Sequence, residues 1–218
     1  MILFKSQLEK ITSSGYYRER AITNSAQDRI LNINKKNVLS FASNDYLGMS
    51  NNRTVVNELI KSANKYGVGS GASPLITGYS SSHHYLEKEL CEYLNTDSCL
   101  VLNSGYAANL CLLSIFDQDK TVFQDRESHN SIIESSKINK LKINRYKHLD
   151  DSHLSKLLHQ SNDVNSIIFS ESVFSMSGDV TDLNHHLYLK EKYKALLFVD
   201  DAHGFAISKK SSSEVDIE

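Results

Sequence analysis

Ala195-Leu-Leu-Phe-Val-Asp-Asp-Ala-His-Gly204 is the stretch that decides the fold. Five apolar residues run straight into two carboxylates, an alanine and a histidine. An unbroken apolar run with a sharp polar stop reads as a central strand of a parallel sheet, covered by helices on both faces. Ligands of such sheets bind beyond the carboxyl ends of the strands. Asp200, Asp201 and His203 therefore stand where chemistry is expected. A carboxylate at the end of a buried strand is costly unless something pairs with it. The plainer alternative is that Asp200 or Asp201 only caps the turn that follows.

Upstream of this run the sequence alternates between strand-like and helix-like patterns. Strands are expected at 99–102, 121–123, 141–146 and 166–169. Helices are expected at 106–116, 128–137, 151–159, with Asp150 as its cap, and 182–194. Such alternation predicts an α/β fold with a mainly parallel sheet. Before it come an amphipathic helix over 2–20, a hairpin whose runs flank Lys35-Lys-Asn37, and a turn-rich Ser43–Gly48 segment. Helices are expected at 53–66, closed by Gly67, and at 82–94. The glycine-rich Gly67–Tyr79 segment follows a helix rather than a strand, so it fails the dinucleotide-binding pattern and reads as a tight loop. The expected organisation is an N-terminal arm over 1–50, a larger domain over 51–207, and a polar, serine-rich tail over 208–218.

The bulk numbers fit a soluble globular chain. There are 218 residues, 40% hydrophobic and 23% charged, with net charge −2. That balance gives no strong field toward nucleic acid or an anionic membrane. No apolar run is long enough for a signal peptide or a membrane span, and the three cysteines have no metal or disulfide spacing. A cytoplasmic protein with buried thiols and no bound metal is expected.

The strand ends carry a set of polar groups. Asn103-Ser-Gly-Tyr-Ala-Ala-Asn109 joins a strand to a helix, and a helix N-terminus there offers free N–H groups to an anion such as phosphate. Asp125-Arg-Glu-Ser-His129 places an imidazole after the next strand. Glu171-Ser-Val-Phe-Ser-Met-Ser-Gly-Asp179 supplies carboxyl and hydroxyl groups, or forms only a self-bonded turn. Asp200 and His203 complete the set. The whole is far more specific than any one member.

In chain order, Ser43-Asn-Asp-Tyr-Leu-Gly48, the Gly67–Tyr79 loop, Ser104-Gly-Tyr-Ala-Ala-Asn109, Ser128-His129, Val173-Phe-Ser-Met176 and Val199-Asp-Asp-Ala-His-Gly204 resemble the α-oxoamine synthases. These are pyridoxal-phosphate enzymes of the aspartate-aminotransferase fold, and the resemblance covers roughly residues 1–207. Gly78-Tyr79 and the serines after it look most like the biotin-pathway branch. Branches making aminolevulinate, aminoketobutyrate or ketosphinganine typically read Gly-Thr there.

The resemblance implies the large domain of a fold-type I pyridoxal-phosphate transferase, incomplete at its C-terminal end, and a homodimer in full-length form. It implies condensation of L-alanine with a pimeloyl thioester, with loss of CO2, to give 8-amino-7-oxononanoate. By the same resemblance Asp200 pairs with the cofactor's ring nitrogen, and His203 and Ser175 bond around its phenolic oxygen. His129 stacks on the ring beside the substrate, and Gly105 and Tyr106 present N–H groups to the phosphate. Arg18 and Asn44 face the substrate.

Three departures stand out. Ser177 replaces the aspartate usual after Phe-Ser-Met, and Phe205-Ala206 replaces Thr-Gly after Ala-His-Gly. The lysine that joins the cofactor is expected well past His203, after a further strand, and Lys209 and Lys210 come too soon. The chain thus reads as stopping before that lysine and the family's small domain, and a catalytically inactive remnant is the first rival reading. A P-loop NTPase is excluded because no Gly-x-x-x-x-Gly-Lys-[Ser/Thr] occurs. A metal hydrolase built on Asp200, Asp201, His203 and His129 remains as another rival.

Overall fold

The computed structural model describes residues 2–161 and 166–207. The expected tail, with Lys209 and Lys210, lies outside the described residues. The chain forms two compact units, one up to Gly69 and one from Ser70 onward. No described helix is long and apolar enough to cross a membrane.

The first unit opens with helix α1 (Ile2–Ser13). It is shorter than expected, because Gly15 takes φ 73° and turns the chain out of the helix before Arg18. Strands β1 (Ile30–Ile33) and β2 (Lys36–Leu39) pair antiparallel, with Ile33 opposite Lys36. The turn is Asn34-Lys35, one position earlier than the sequence indicated, and both residues have positive φ (49° and 65°). Two left-handed residues match the twist of the flanking strands. Helix α2 (Arg53–Tyr66) is capped by Asn52, whose side chain accepts from the N–H groups of Thr54 and Val55. Gly67, at φ 80°, ends it.

The second unit holds α3 (Ser81–Leu94), α4 (Gly105–Ser114), β3 (Thr121–Asp125), α5 (Asn130–Ile138), β4 (Lys142–Tyr146), α6 (Asp151–Ser161), β5 (Ser166–Glu171), α7 (Leu183–Tyr193) and β6 (Leu196–Asp200). A short π-helical turn, Pro74–Gly78, interrupts the glycine-rich loop. The four strands pair in the order β4-β3-β5-β6, all parallel. Every residue of β3 and β5 is buried.

Side chains of these strands alternate between two cores. Val122, Ile167 and Phe169 pack with Leu113 of α4 and Ile132 of α5 on one face. Phe123 and Ile168 pack with Leu154 and Leu158 of α6 and Leu189 of α7 on the other. Burying each such side chain stabilises the fold by about 2 kcal/mol. Both central strands are thus sandwiched between helices, which is why they read as continuous apolar runs. Across the second core, buried His186 of α7 meets Asp151 of α6 at 3.1 Å. Burial drives its pKa down, against the pull of Asp151.

Three expectations are corrected. Among the described strands β6 is not central and fully buried: it is the outer one, with Leu196 45% exposed and the remaining residues half-buried. An apolar run reports helices on the faces of a strand, not a neighbour at its edge. Residues 99–102 form no strand, having no ladder partner among the described residues. Of the cysteines expected to be buried, Cys111 is exposed and Cys91 and Cys99 are half-buried, all as free thiols.

Candidate active site

Parallel pairing brings Asp125, Glu171 and Asp200 to one edge of the sheet, with Glu171 directly opposite Asp200. The alternation that sends Phe169 and Phe198 toward α4 and α5 sends Glu171 and Asp200 the same way, two residues further on. Asp125 follows Phe123 to the opposite face. There its carboxylate accepts from the Leu149 N–H (2.9 Å) and meets His148 Nδ1 (3.0 Å).

A hydrogen-bond chain runs from Asp200 to His129. Asn109, on α4, donates from Nδ2 to Asp200 Oδ2 (2.9 Å) and to Ser131 Oγ (2.9 Å). An amide NH2 has two hydrogens, and both are used. Ser131 Oγ lies 2.7 Å from His129 Nδ1, and the Ser131 N–H donates to the same nitrogen at 3.2 Å. His129 is thereby the N-cap of α5, with Nδ1 committed to the protein while the ring itself is exposed. The other Asp200 oxygen accepts from the Ala202 N–H (3.1 Å), so the residue does cap its turn, but with one oxygen only.

Glu171 lies behind this chain. It is 3% exposed and accepts from the His129 backbone N–H at 2.5 Å. Burial pushes its pKa up to about 7; the His129 N–H opposes this, and the neighbouring Asp200 and Asp125 charges add to it. Asp125, Glu171 and Asp200 are three carboxyl groups at one sheet edge, and it is Glu171 that takes up a proton near neutrality.

Asp201 turns away to a different task. It accepts from the Ser172 hydroxyl, and its carbonyl accepts from the Gly204 and Phe205 N–H groups. A Cβ on buried Gly204 would collide with the Asp201 carboxylate and the Ser172 hydroxyl. His203 sits half-buried in this same turn, three residues beyond Asp200. Asp200, Asn109 and Gly105 share the lining of an open cavity of about 470 Å³, with Leu102, Val199 and Asp201.

At the start of α4 the Ser104 hydroxyl accepts from the Ala107 N–H (3.1 Å), and the Ser104 carbonyl from the Ala108 N–H (3.0 Å). The N–H groups of Gly105 and Tyr106 precede these, outside the intrahelical ladder. Ser175 is exposed on the loop between β5 and α7. Arg18 and Asn44 belong to the first unit. Arg18 donates to the Gly15 carbonyl (3.0 Å), and Asn44 accepts from the Tyr46 hydroxyl (3.5 Å). The structure therefore joins His129 and Asp200 through side chains and puts Gly105 on the same cavity as Asp200.

Asn109, Ser131 and His148 have roles that the sequence reading did not assign. Asn109 could have been found, because it lies one helical turn after Gly105 and so on the same face. Ser131 could have been suspected as a partner of a histidine N-cap. His148 carries no local signal at all. Among the described residues no three His, Cys, Asp or Glu side chains are set to hold a metal ion, so the metal-hydrolase rival has no ligand cluster.

Comparison with known proteins agrees with this architecture. The family model for aminotransferase class I and II matches residues 36–215. The 8-amino-7-oxononanoate synthase of Vibrio atlanticus is 36% identical over 212 residues, 95% of this chain and 52% of that protein. The chain spans about half the length of the curated relatives it matches. A solved 8-amino-7-oxononanoate synthase from Francisella tularensis superposes with a TM-score of 0.63 at 29% identity, covering 74% of this chain and 44% of that one. The serine palmitoyltransferase of Sphingomonas wittichii superposes with a TM-score of 0.81 at 23% identity, covering 91% of this chain and 51% of that one, and shares the fold. With a family model matching most of its length on an α/β domain built this way, the chain belongs to the aminotransferase class I and II family.

Proposed function

We propose that this chain is the cofactor-binding part of a pyridoxal-phosphate-dependent acyltransferase. The reaction is condensation of L-alanine with a pimeloyl thioester, carried on coenzyme A or acyl carrier protein, with loss of CO2 to give 8-amino-7-oxononanoate. In this reading residues 51–207 are the cofactor domain, residues 1–50 its arm with the substrate residues Arg18 and Asn44, and the working form is a homodimer. The observation that carries it is the Asp200–Asn109–Ser131–His129 chain at one sheet edge, in a sequence 36–39% identical to 8-amino-7-oxononanoate synthases.

The residues present fit the cofactor. Gly105 has neither a positive φ nor a packing reason to be glycine, since an added Cβ would meet nothing within 4 Å. It leaves room for a group from outside the chain at the start of a helix, where a phosphate is favoured. A carboxylate fixed through both oxygens and half open to a cavity suits a protonated ring nitrogen. Asp200 would hold that nitrogen, His203 and Ser175 the phenolic oxygen, His129 the ring face, and Gly105 and Tyr106 the phosphate. Bound pyridoxal phosphate supplies an electron sink that stabilises a carbanion beside the substrate's amino group. Asn109 keeps the Asp200 carboxylate in one orientation, which preserves the charge opposite the ring nitrogen. Ser131 and Glu171 hold His129 through its ring and its backbone.

Titration of the protein with pyridoxal phosphate, followed by fluorescence, tests the cofactor site. Saturable binding should weaken about tenfold or more, at least 1.4 kcal/mol, in Asp200→Asn. Asp201→Asn, whose carboxylate faces Ser172, should change it much less. Equal effects, or the reverse order, would sink the assignment. Alanine-dependent release of thiol from pimeloyl thioesters tests the reaction, with serine, glycine and long-chain acyl thioesters as controls for the sister activities. Cofactor binding without any turnover would favour the second reading, a catalytically inactive remnant.

A further inference from the structure

We propose that His148 is a positioning residue: as an imidazolium bridging Asp125 and Asp179, it fastens the 172–181 loop, and with it Ser175, to the carboxyl edge of the sheet. The placement of Ser175 matters only on the reading just given, but the fastening is a property of the chain itself.

The geometry has three contacts. His148 Nδ1 lies 3.0 Å from Asp125 Oδ1, at the end of central strand β3. His148 Nε2 lies 3.1 Å from Asp179 Oδ2, on the loop. Phe174, 2% exposed, packs against the imidazole with ring centroids 4.6 Å apart and planes at 85°. Phe174 and Asp179 are also the two ends of the loop's own closure. The Phe174 N–H donates to the Asp179 carbonyl (2.9 Å), and the Gly178 N–H to the Phe174 carbonyl (2.8 Å). Ser175 is the residue next to Phe174, inside that closure. Holding 174 and 179 therefore fixes where 175 stands.

Each ring nitrogen faces a carboxylate oxygen, and each of these two carboxylates can bond to the ring only through an N–H. A neutral imidazole has one N–H and can serve only one of them, whereas an imidazolium serves both. The charged groups around the ring are Asp125 from β3, Glu171 from β5 and Asp179 from the loop. On its own segment Lys147 and Asp150 flank it, and Arg126 and Glu127, next after Asp125, pair with each other at 3.3 Å. Negative charge dominates these surroundings. Partial burial disfavours the charged ring, but the bonds with Asp179 and Asp125 outweigh that and raise the pKa above its usual 6.5. The bridge is thus fully present below 6.5 and is lost as pH rises through the raised value.

Hydrogen exchange measured from pH 5.5 to 8.5, corrected for intrinsic rates, tests this on the protein without cofactor. Protection of the 173–180 amides should fall about tenfold or more across the range, as charge-assisted bonds are lost. Peptides from α5 and β5 should keep theirs. Asp179→Asn and His148→Gln should lack the extra protection at low pH and give flat profiles. Asp179 is 47% exposed, so its variant decides the matter even where His148→Gln disturbs folding. Glu171 titrates in an overlapping range, and the wild-type profile should persist in Glu171→Gln. A flat wild-type profile, or an Asp179→Asn profile like wild type, would overturn the proposal. Loss of cofactor binding with an intact exchange profile would count against the proposed function alone.

Discussion

Glu171 shows how one buried carboxyl couples the site to pH. Its neighbours explain the burial: the His129 N–H needs an acceptor, and the end of a central strand is where one can be supplied. The cost is a folded-state pKa raised from 4.5 to about 7. Between those values the folded chain binds more protons than the unfolded one, so stability falls as pH rises through the window and levels off above it. A shift of this size corresponds to roughly 3 kcal/mol. Glu171→Gln keeps an acceptor for the His129 N–H and removes the charge. Denaturant titrations from pH 4 to 8 should therefore show the variant more stable than wild type at pH 8, with the difference vanishing near pH 4. A constant difference across the range would show that Glu171 does not titrate as its surroundings imply.

At the scale of elements, β3 carries both the strength and a weakness of the fold. Gln124 is 0% exposed on this strand, and neither atom of its amide finds a partner among the described residues. An unsatisfied buried amide costs about 1–3 kcal/mol. Gln124→Met, similar in volume and apolar, should raise the urea midpoint without changing its slope; a lowered midpoint would mean that the amide is satisfied in solution. The same strand shows what was legible in sequence. Val122 and Phe123, like Ile167 and Ile168, announce strands covered on both faces, and the run of strands and helices that follows is the one observed. The carboxyl edge was legible too, because Asp200 ends an apolar run and His129 stands at a strand-to-helix junction. Sheet order was not, since Leu196–Val199 looks the same at an edge as at the centre. Nor were the links through Asn109, Ser131 and His148, which join residues 22, 91, 23 and 31 positions apart. Local pattern reports which face of an element is buried. It carries no information on which two elements will share a hydrogen bond.

At the scale of the whole molecule, the proposed homodimer can be tested at an exposed apolar turn. In the Pro74–Gly78 turn Leu75 is 94% exposed and Ile76 77% exposed. The turn is itself ordered by backbone bonds from the Ile76 and Gly78 N–H groups to the Ser73 carbonyl (3.0 and 2.9 Å). Gly78 is required there, because any Cβ would run into the Ala72 carbonyl. Among the described residues this tightly built turn presents two large aliphatic side chains outward, and large exposed apolar surface marks interaction sites. The homodimer proposed above would cover it, each copy offering the same turn across a twofold axis. Light scattering on the purified protein should then give twice the chain mass at micromolar concentration. Leu75→Glu with Ile76→Glu should shift the species toward monomer, with helix content retained, because a charge buried at the interface is far costlier than one left in water. A wild-type protein that stays monomeric, or a double variant that dimerises as well as wild type, would remove this turn from the interface.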